Sequence, residues 1–480
     1  MPANDVDRAD KKLMRAQASA ASGSNDIIEL SLYARSQKIY PRQVHGIFAV
    51  LRVTAILLLL GIFYHLPWLE WNGRQAVLFD LPARKFYLFG LTIWPQDFFY
   101  LAFLLIIAAL SLFFFTALAG RLWCGYACPQ TVWTEAMLFI ERIVEGSRIQ
   151  QMRLDQSPLT WHKFVIKATK HSIWLVFSAY TGYAFVSYFT PAPELAHRLL
   201  AFNLGPWETF WVMFYGALTY GNAGWIREQF CIYMCPYARF QSAMFDDNTL
   251  TIFYDEKRGE ARGSRRRGAD YRSTGLGDCI DCTMCVQVCP TGIDIRDGLQ
   301  YECIGCSACI DVCDDVMEQM DYPKGLIRYT TQNAMNGNQT RIIRPRVIIY
   351  GLLLLLFIIL FGYSLGQRIP IGIDVIRDRN QLYRETAGLI ENVYTLKILN
   401  MDDKQHAYTL AADGIRKIVL LLDTENIIVD AGKILDLPVR LRADEAVLSS
   451  RSTTVMFTLT AMDKDGLTIT KNARFIGPIR

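Results

Sequence analysis

Eight of the twelve cysteines lie between positions 279 and 313, and their spacing is the strongest chemical signal in the chain. Cys279, Cys282, Cys285 and Cys289 stand two, two and three residues apart, with Pro290 next; Cys303, Cys306, Cys309 and Cys313 repeat the pattern, with Asp314 where the proline would stand. Short loops of this kind let three thiolates converge on one face of a cubane, while the fourth crosses to the neighbouring cluster. The spacing therefore predicts two [4Fe-4S] clusters. One is held by Cys279, Cys282, Cys285 and Cys313, the other by Cys303, Cys306, Cys309 and Cys289. Zinc ribbons use paired C-x2-C knuckles instead, and a disulfide framework suits a small secreted chain.

The other four cysteines form a second constellation. Trp123–Pro129 (WCGYACP) and Phe230–Pro236 (FCIYMCP) match when shifted by 107 residues, at Cys124/Cys231, Tyr126/Tyr233, Cys128/Cys235 and Pro129/Pro236, and further on at Ala136/Ala243 and Met137/Met244. A C-x3-C spacing places two sulfurs on one face of a helical turn, and proline after the second cysteine favours a helix start. Two such units related by approximate twofold symmetry would gather four thiols at a membrane edge. Soft thiolates select Cu(I), cycle as dithiol and disulfide, or hold a further metal cluster; buried free cysteines can also serve as small hydrophobes. The spacing leaves these readings open. Met234 and Met244 are weaker candidates for thioether ligands, and Arg52, inside an apolar stretch, is expected to face a helix bundle or a headgroup.

The elements that must position these residues follow from composition. A hydrophobic fraction of 52% and a mean hydropathy of +0.16 are too apolar for a purely soluble chain of 480 residues. Five stretches near the length that crosses a bilayer account for the excess: 46–66, 97–118, 172–189, 209–226 and 347–365. Between them Lys and Arg alternate, with seven before the first span, then three, seven, one and fifteen. That bias places the N-terminus and the cluster-binding cysteines on the cytoplasmic side, and a tail after the fifth span outside. All twelve cysteines fall in segments assigned to the inner side or its membrane edge, as a reducing compartment requires. The expected organisation is a polar N-terminal segment 1–45, a membrane domain 46–254 carrying both C-x3-C-P motifs, a basic linker 255–277, a ferredoxin module 278–325, the fifth span, and an external domain 367–480. Residues 1–30 read as disordered. The linker reads as a tether facing lipid headgroups, or as a docking site for an acidic electron donor. In the tail, alternating segments separated by Asp-Gly and Asp-Asp turns predict seven or so strands in an immunoglobulin-like sandwich, with His406 as its sole histidine. The fold class expected is a multi-domain membrane protein: a five-helix bundle, a bacterial-type two-cluster α+β ferredoxin module and an all-β sandwich. No phosphate loop, dinucleotide fingerprint or hydrolytic triad is present.

Trp123–Gln130 with Thr131 and Glu135, Cys231–Pro236, the doubled ferredoxin run, the stretch Phe79–Asp97 and the C-terminal sandwich together resemble the cytochrome c oxidase accessory family CcoG, also called FixG or RdxA. The resemblance runs from about Tyr40 to the end. It implies a multi-pass protein of the bacterial inner membrane that reduces Cu(II) to Cu(I) for assembly of the cbb3-type oxidase. It carries the copper-interacting or redox role onto Cys124, Cys128, Cys231 and Cys235. Membrane lipid, the oxidase or its assembly and copper-delivery factors, and an unnamed electron donor are the partners implied, with no nucleic acid. Two other functions fit the same residues: an electron conduit from quinol to a periplasmic reductase, and a non-redox docking scaffold.

Overall fold

The computed structural model describes residues 38–478 apart from 272, 274, 379–380, 387, 403, 424–426, 449 and 464–466. The chain divides into a short unit, Met1–Tyr40, and a large one, Pro41–Arg480. The disorder expected for residues 1–30 falls outside the described residues.

Among the described residues three helices are long and apolar enough to cross a membrane: Ile47–Trp68, Pro95–Ala119 and Pro345–Gly366. The second and third of these pack together. Tyr100 donates its hydroxyl to the Ser364 carbonyl at 2.9 Å, and the Phe103 ring meets Phe357 and Phe361. Gly120, at φ 52°, ends the middle helix in a left-handed turn that a side chain would resist. The first helix opens in an unusual way, because its cap comes from far along the chain. The buried Asp311 carboxylate accepts from the backbone N–H groups of Phe48 (3.3 Å) and Ala49 (2.7 Å). Gly46 lies so close to that carboxylate that a Cβ would collide with it. A carboxylate at this point satisfies two orphan donors and complements the helix dipole. Asp311→Asn is therefore expected to lower stability by about 1.5 kcal/mol, the usual worth of a charge-assisted bond, read as a fall in the thermal midpoint.

The remaining two expected spans depart from expectation. The helix over the third runs Trp161–Val186, eleven residues ahead of the apolar stretch, and carries Lys163, Lys167 and Lys170 in its first half. Lys167 and Lys170 are matched by acids on Pro129–Glu145: Lys170 Nζ lies 2.9 Å from Glu145 and 3.5 Å from Glu141, and Lys167 Nζ lies 2.8 Å from Glu145, while Lys163 donates to the carbonyls of Asp155 and Ser157. Arg227 closes the group at 2.7 Å from Glu141. Buried charges persist only when paired in this way. The helix over the fourth span is α-helical for Pro206–Thr219 and continues as π-helix over Tyr220–Ile226.

The ferredoxin module is built on a two-stranded antiparallel sheet, Thr251–Tyr254 against Ile327–Thr330. Its short helix Met284–Gln287 and long helix Ala308–Met320 enclose a core of Ile252, Ile295, Ile310, Met317, Leu326 and Ile327. The basic linker is part of this module. Cys279 N–H donates to Gly259, Gly277 N–H to Ala261 and Asp278 N–H to Arg258, so the segment folds back beside the first cysteine. The two ends of the linker are thus tied together beside the module, with Arg266 and Arg267 left on its exposed turn.

The C-terminal domain is a sandwich of two antiparallel sheets. One orders Val419–Leu422, Ile434–Asp444, Leu389–Asn400 and Ile371–Arg377, with Arg384–Thr386 also pairing onto Leu389–Asn400. The other orders Ile427–Val429, His406–Asp413, Ser452–Ala461 and Thr468–Ile476. Among the described residues nine strands replace the expected seven or so, because the short strands Arg384–Thr386 and Ile427–Val429 carry too little alternation to show. Tyr394, Leu396, Ile398, Leu441, Phe457, Leu459 and Phe475 fill the space between the sheets.

Candidate functional site

The eight cysteines of the double run are all free thiols, and the structure places them around two cavities. One is lined by Cys279, Cys282, Cys285 and Cys313; the other by Cys289, Cys303, Cys306 and Cys309, with Cys285 between the two. The local backbone repeats with the sequence. Thr283 and Ser307, each directly after the second cysteine of its run, sit in the left-handed region at φ 55° and 63°. That turn reverses the chain before the helix carrying the third cysteine. The rest of each lining is largely apolar, with Ile252, Ile293 and Ile304 on one side and Val316, Met317, Leu326 and Ile327 on the other. Burial pushes the Cys285 and Cys306 thiols up to about 12, and raises Cys303, Cys309 and Cys313 as well. Such thiols become thiolates only against a strongly cationic, thiophilic partner. Two four-sulfur cavities of this character fit [4Fe-4S] clusters, which supply one-electron carriage when bound.

The two C-x3-C-P motifs come together. Cys124 lies within electrostatic range of Cys128, Cys231 and Cys235, and Cys231 within range of Cys128 and Cys235. Burial raises the Cys124 and Cys231 thiols to about 12 and raises Cys128. The motifs differ from the expected single helical turn. Cys124 sits in the short helix Leu122–Tyr126, whereas Cys128 is extended at ψ 129° and caps the next helix, with Pro129 at its first position. In the second motif Phe230–Met234 is π-helical, and Cys235, at ψ 112°, caps Pro236–Ala243. Proline drives the residue before it out of the helical region, so each second cysteine is turned off its helix. Among the described residues no three His, Cys, Asp or Glu side chains close on a point as a single-ion site requires. Met234 is 59% exposed, so its thioether faces outward.

The motifs and the second cysteine run are joined by direct contacts. Arg121, three residues before Cys124, is buried and donates to the carbonyls of Tyr301, Cys303 (2.6 Å) and Ala238 (3.3 Å). One guanidinium thus ties the cluster loop to the helix after the second motif. It also opposes the effect of burial at Cys124, Cys231 and Cys303. Gly125 lies against the backbone of the loop: a Cβ there would stand 2.6 Å from the Gly305 carbonyl oxygen. Tyr126 donates to Ser307 Oγ at 3.1 Å, Ser307 Oγ to Tyr329 at 2.8 Å, and Tyr329 to the Gly305 carbonyl at 2.9 Å. Tyr301 donates to the carbonyl of Ile232, inside the second motif. Arg52, expected to face a bundle or headgroup, donates instead to the Cys306 carbonyl at 3.0 Å. The loop bearing Cys303 and Cys306 therefore packs against the segments that carry the motif thiols, while Cys282 of the first run is exposed. Sequence reading missed Arg121, Gly125, Tyr301 and Asp311. Only a glycine next to a cysteine in both WCGYAC and CIGCSAC hinted at a close backbone approach.

Apolar spanning helices, a two-cavity cysteine module and an immunoglobulin-like sandwich define a membrane-bound iron–sulfur electron-transfer protein. Comparison with known proteins agrees with each part. Residues 226–332 match the 4Fe-4S dicluster domain, residues 101–145 a 4Fe-4S binding domain, and residues 361–478 the IG-like fold at the C-terminus of FixG. The chain is 39% identical over 423 residues to the nitrogen fixation protein FixG of Rhizobium meliloti, covering 80% of both chains. It is 42% identical over 400 residues to protein RdxA of Cereibacter sphaeroides (80% of this chain, 84% of that one), and 42% identical over 420 residues to protein RdxB of the same organism (83% and 87%). A crystal structure of a FixG-related protein from Vibrio parahaemolyticus is 41% identical, with a TM-score of 0.21, covering 22% of this chain and 95% of that one. The chain belongs to the FixG/RdxA family.

Proposed function

We propose that this protein reduces Cu(II) to Cu(I) at the four motif thiols, one electron per copper, for assembly of a cbb3-type cytochrome c oxidase. The observation that carries the reading is the packing of both motif segments, through Arg121, Gly125 and the Ile232 carbonyl, against the loop that runs from Tyr301 through Cys303 and Cys306. Thiols are the ligands that prefer Cu(I) over Cu(II), so a copper ion held there is favoured in its reduced form. In this reading Cys279, Cys282, Cys285 and Cys313 hold one cluster and Cys289, Cys303, Cys306 and Cys309 the other. The Lys and Arg distribution puts the module on the cytoplasmic side of the inner membrane and the sandwich in the periplasm. Oxidase assembly factors or copper-delivery proteins would then meet the sandwich. A conduit to a periplasmic reductase is disfavoured: the sandwich holds no cysteine, and its one histidine, His406, is buried between Asp402 and Asp463. The test is anaerobic. Reduced wild type and a variant carrying Cys124→Ser, Cys128→Ser, Cys231→Ser and Cys235→Ser are each given Cu(II) with a Cu(I) chelator present. The wild type is expected to form Cu(I) quickly and the variant slowly at equal cluster content; equal rates would remove copper from these thiols.

One observation favours a second reading of the same thiols. The 4Fe-4S match over 101–145 contains only two cysteines, Cys124 and Cys128, and the structure completes a set of four with Cys231 and Cys235. Iron analysis separates the readings: two clusters hold eight iron atoms per chain and three hold twelve.

A further inference from the structure

We infer that the arginine loop held against Cys279 is the docking surface for an acidic one-electron carrier protein, which delivers electrons to the first-run cysteine site. The inference requires only that the chain transfers electrons, and it stands whether or not copper is the acceptor. Of the twelve cysteines Cys282 alone is exposed. The second-run site is covered by the motif helices, so the first-run site is where a soluble carrier can approach.

The surface beside it is built and held. Gly263 N–H donates to the Cys279 carbonyl at 3.3 Å. Arg265 is clasped in place: its Nε donates to Tyr322 (3.0 Å), its Nη2 to the Gly277 carbonyl (2.6 Å), and its guanidinium lies over the rings of Tyr271 and Tyr322. Tyr271 in turn donates to Asp278 at 2.7 Å. These anchors fix the turn that follows, from which Arg266 and Arg267 stand exposed. They are three and four residues from Gly263, so their Cα atoms lie within about 11 and 14 Å of a residue bonded to Cys279.

The charge balance leaves these two arginines in surplus. Four acids around the first-run site are engaged by arginine, Asp278 with Arg258, Glu260 with Arg262, and Asp281 and Asp294 with Arg296, and Asp314, beside Cys313, accepts from the Gly325 backbone. Asp270 is the acid on the loop itself, and it accepts from the Ser273 backbone. Arg266 and Arg267 have no ion-pair partner among the described residues. A positive patch on the loop bonded to Cys279, at the site whose Cys282 is exposed, fits a carrier with acidic residues around its own cofactor, since complementary fields steer encounter and fix orientation. Anionic lipid would also meet arginines, but it gives no reason for Cys282 to be exposed alongside them. The step needs one electron: the carrier is oxidised by one, the first-run site is reduced by one, and no bond or proton changes hands.

The experiment uses the full-length chain in detergent and an acidic flavodoxin as probe. Binding of oxidised flavodoxin is followed by calorimetry at low and high ionic strength, for wild type and for an Arg266→Glu/Arg267→Glu variant. A second variant, Arg266→Gln/Arg267→Gln, removes the charges without reversing them. Wild type is expected to bind at low salt and weaken as salt rises. The charge-reversed variant is expected to lose roughly tenfold or more in affinity, in the range such fields supply, with the neutral variant between. Bleaching of cluster absorbance by flavodoxin hydroquinone is expected to slow in the same order, while bleaching by photoreduced deazaflavin, a small neutral reductant, stays unchanged. Equal flavodoxin affinity in all three proteins would overturn the inference. So would a loss confined to binding of phosphatidylglycerol vesicles, which would make the loop a lipid patch.

Discussion

Replacing Arg121 with methionine is expected to release the ferredoxin loop from both C-x3-C-P motifs. The guanidinium is buried and bonds the carbonyls of Tyr301, Cys303 and Ala238. Methionine preserves much of the volume and none of the donors. Each carbonyl left dry costs about 1–3 kcal/mol, so losing two or three together is expected to cost several kcal/mol locally. The charge also matters, because Arg121 counters the rise of the Cys124, Cys231 and Cys303 thiols. Without it these thiols ionise less readily and bind metal less well. The expected signature is a chain whose visible iron–sulfur absorbance is lost at lower temperature than that of wild type, the Cys303 side first. Arg121→Lys restores the charge but only one of the bonding directions, and is expected to fall between. An unchanged thermal profile in Arg121→Met would show that the loop is held by other contacts.

Gly125→Val tests the same junction sterically. Even an alanine Cβ would stand 2.6 Å from the Gly305 oxygen and 2.9 Å from its carbonyl carbon, and these are backbone atoms that cannot rotate aside. Gly305 is itself pinned: it adopts φ 71°, and its own Cβ position is occupied by Arg121 at 3.1 Å. Overpacking of this kind costs about 1–3 kcal/mol, and it is relieved by moving the Leu122–Tyr126 helix off the loop. The cysteines themselves are untouched. The variant is therefore expected to keep its iron content while losing Cu(I) formation and the Tyr126–Ser307 contact, seen as faster hydrogen exchange in 301–307. The second motif provides an internal contrast. Ile232 occupies the position matching Gly125, and that motif meets the ferredoxin loop through its carbonyl and the Tyr301 hydroxyl instead. The copy with glycine packs backbone against backbone on the cluster loop, whereas the other is reached by a side-chain hydroxyl.

What the sequence revealed were features whose information is local. The eight-cysteine spacing, the repeated C-x3-C-P unit, the apolar helices over 46–66, 97–118 and 347–365, and the alternating strands of the tail all declare themselves within a few residues. What stayed hidden depends on partners far along the chain. Arg121 counted only as a charge at a membrane edge and Arg52 only as a cation inside an apolar stretch; their roles rest on carbonyls about 180 and 250 residues away. Asp311 looked like an ordinary helix residue of the module, yet it caps the first apolar helix. Lys167 and Lys170 blurred the third span because their acids lie on a different helix. In the linker, Arg265 looked like its basic neighbours because its place shows only with Tyr271 and Tyr322 beside it.

The most direct measurement of the central claim is an electron count. Wild-type protein is reduced anaerobically, freed of excess reductant, and titrated with Cu(II) in the presence of a Cu(I) chelator while cluster absorbance is recorded. Two Cu(I) per chain, appearing in step with recovery of the oxidised cluster spectrum, is the result predicted for two clusters that each release one electron. Clusters that stay reduced while Cu(II) remains Cu(II) would contradict it.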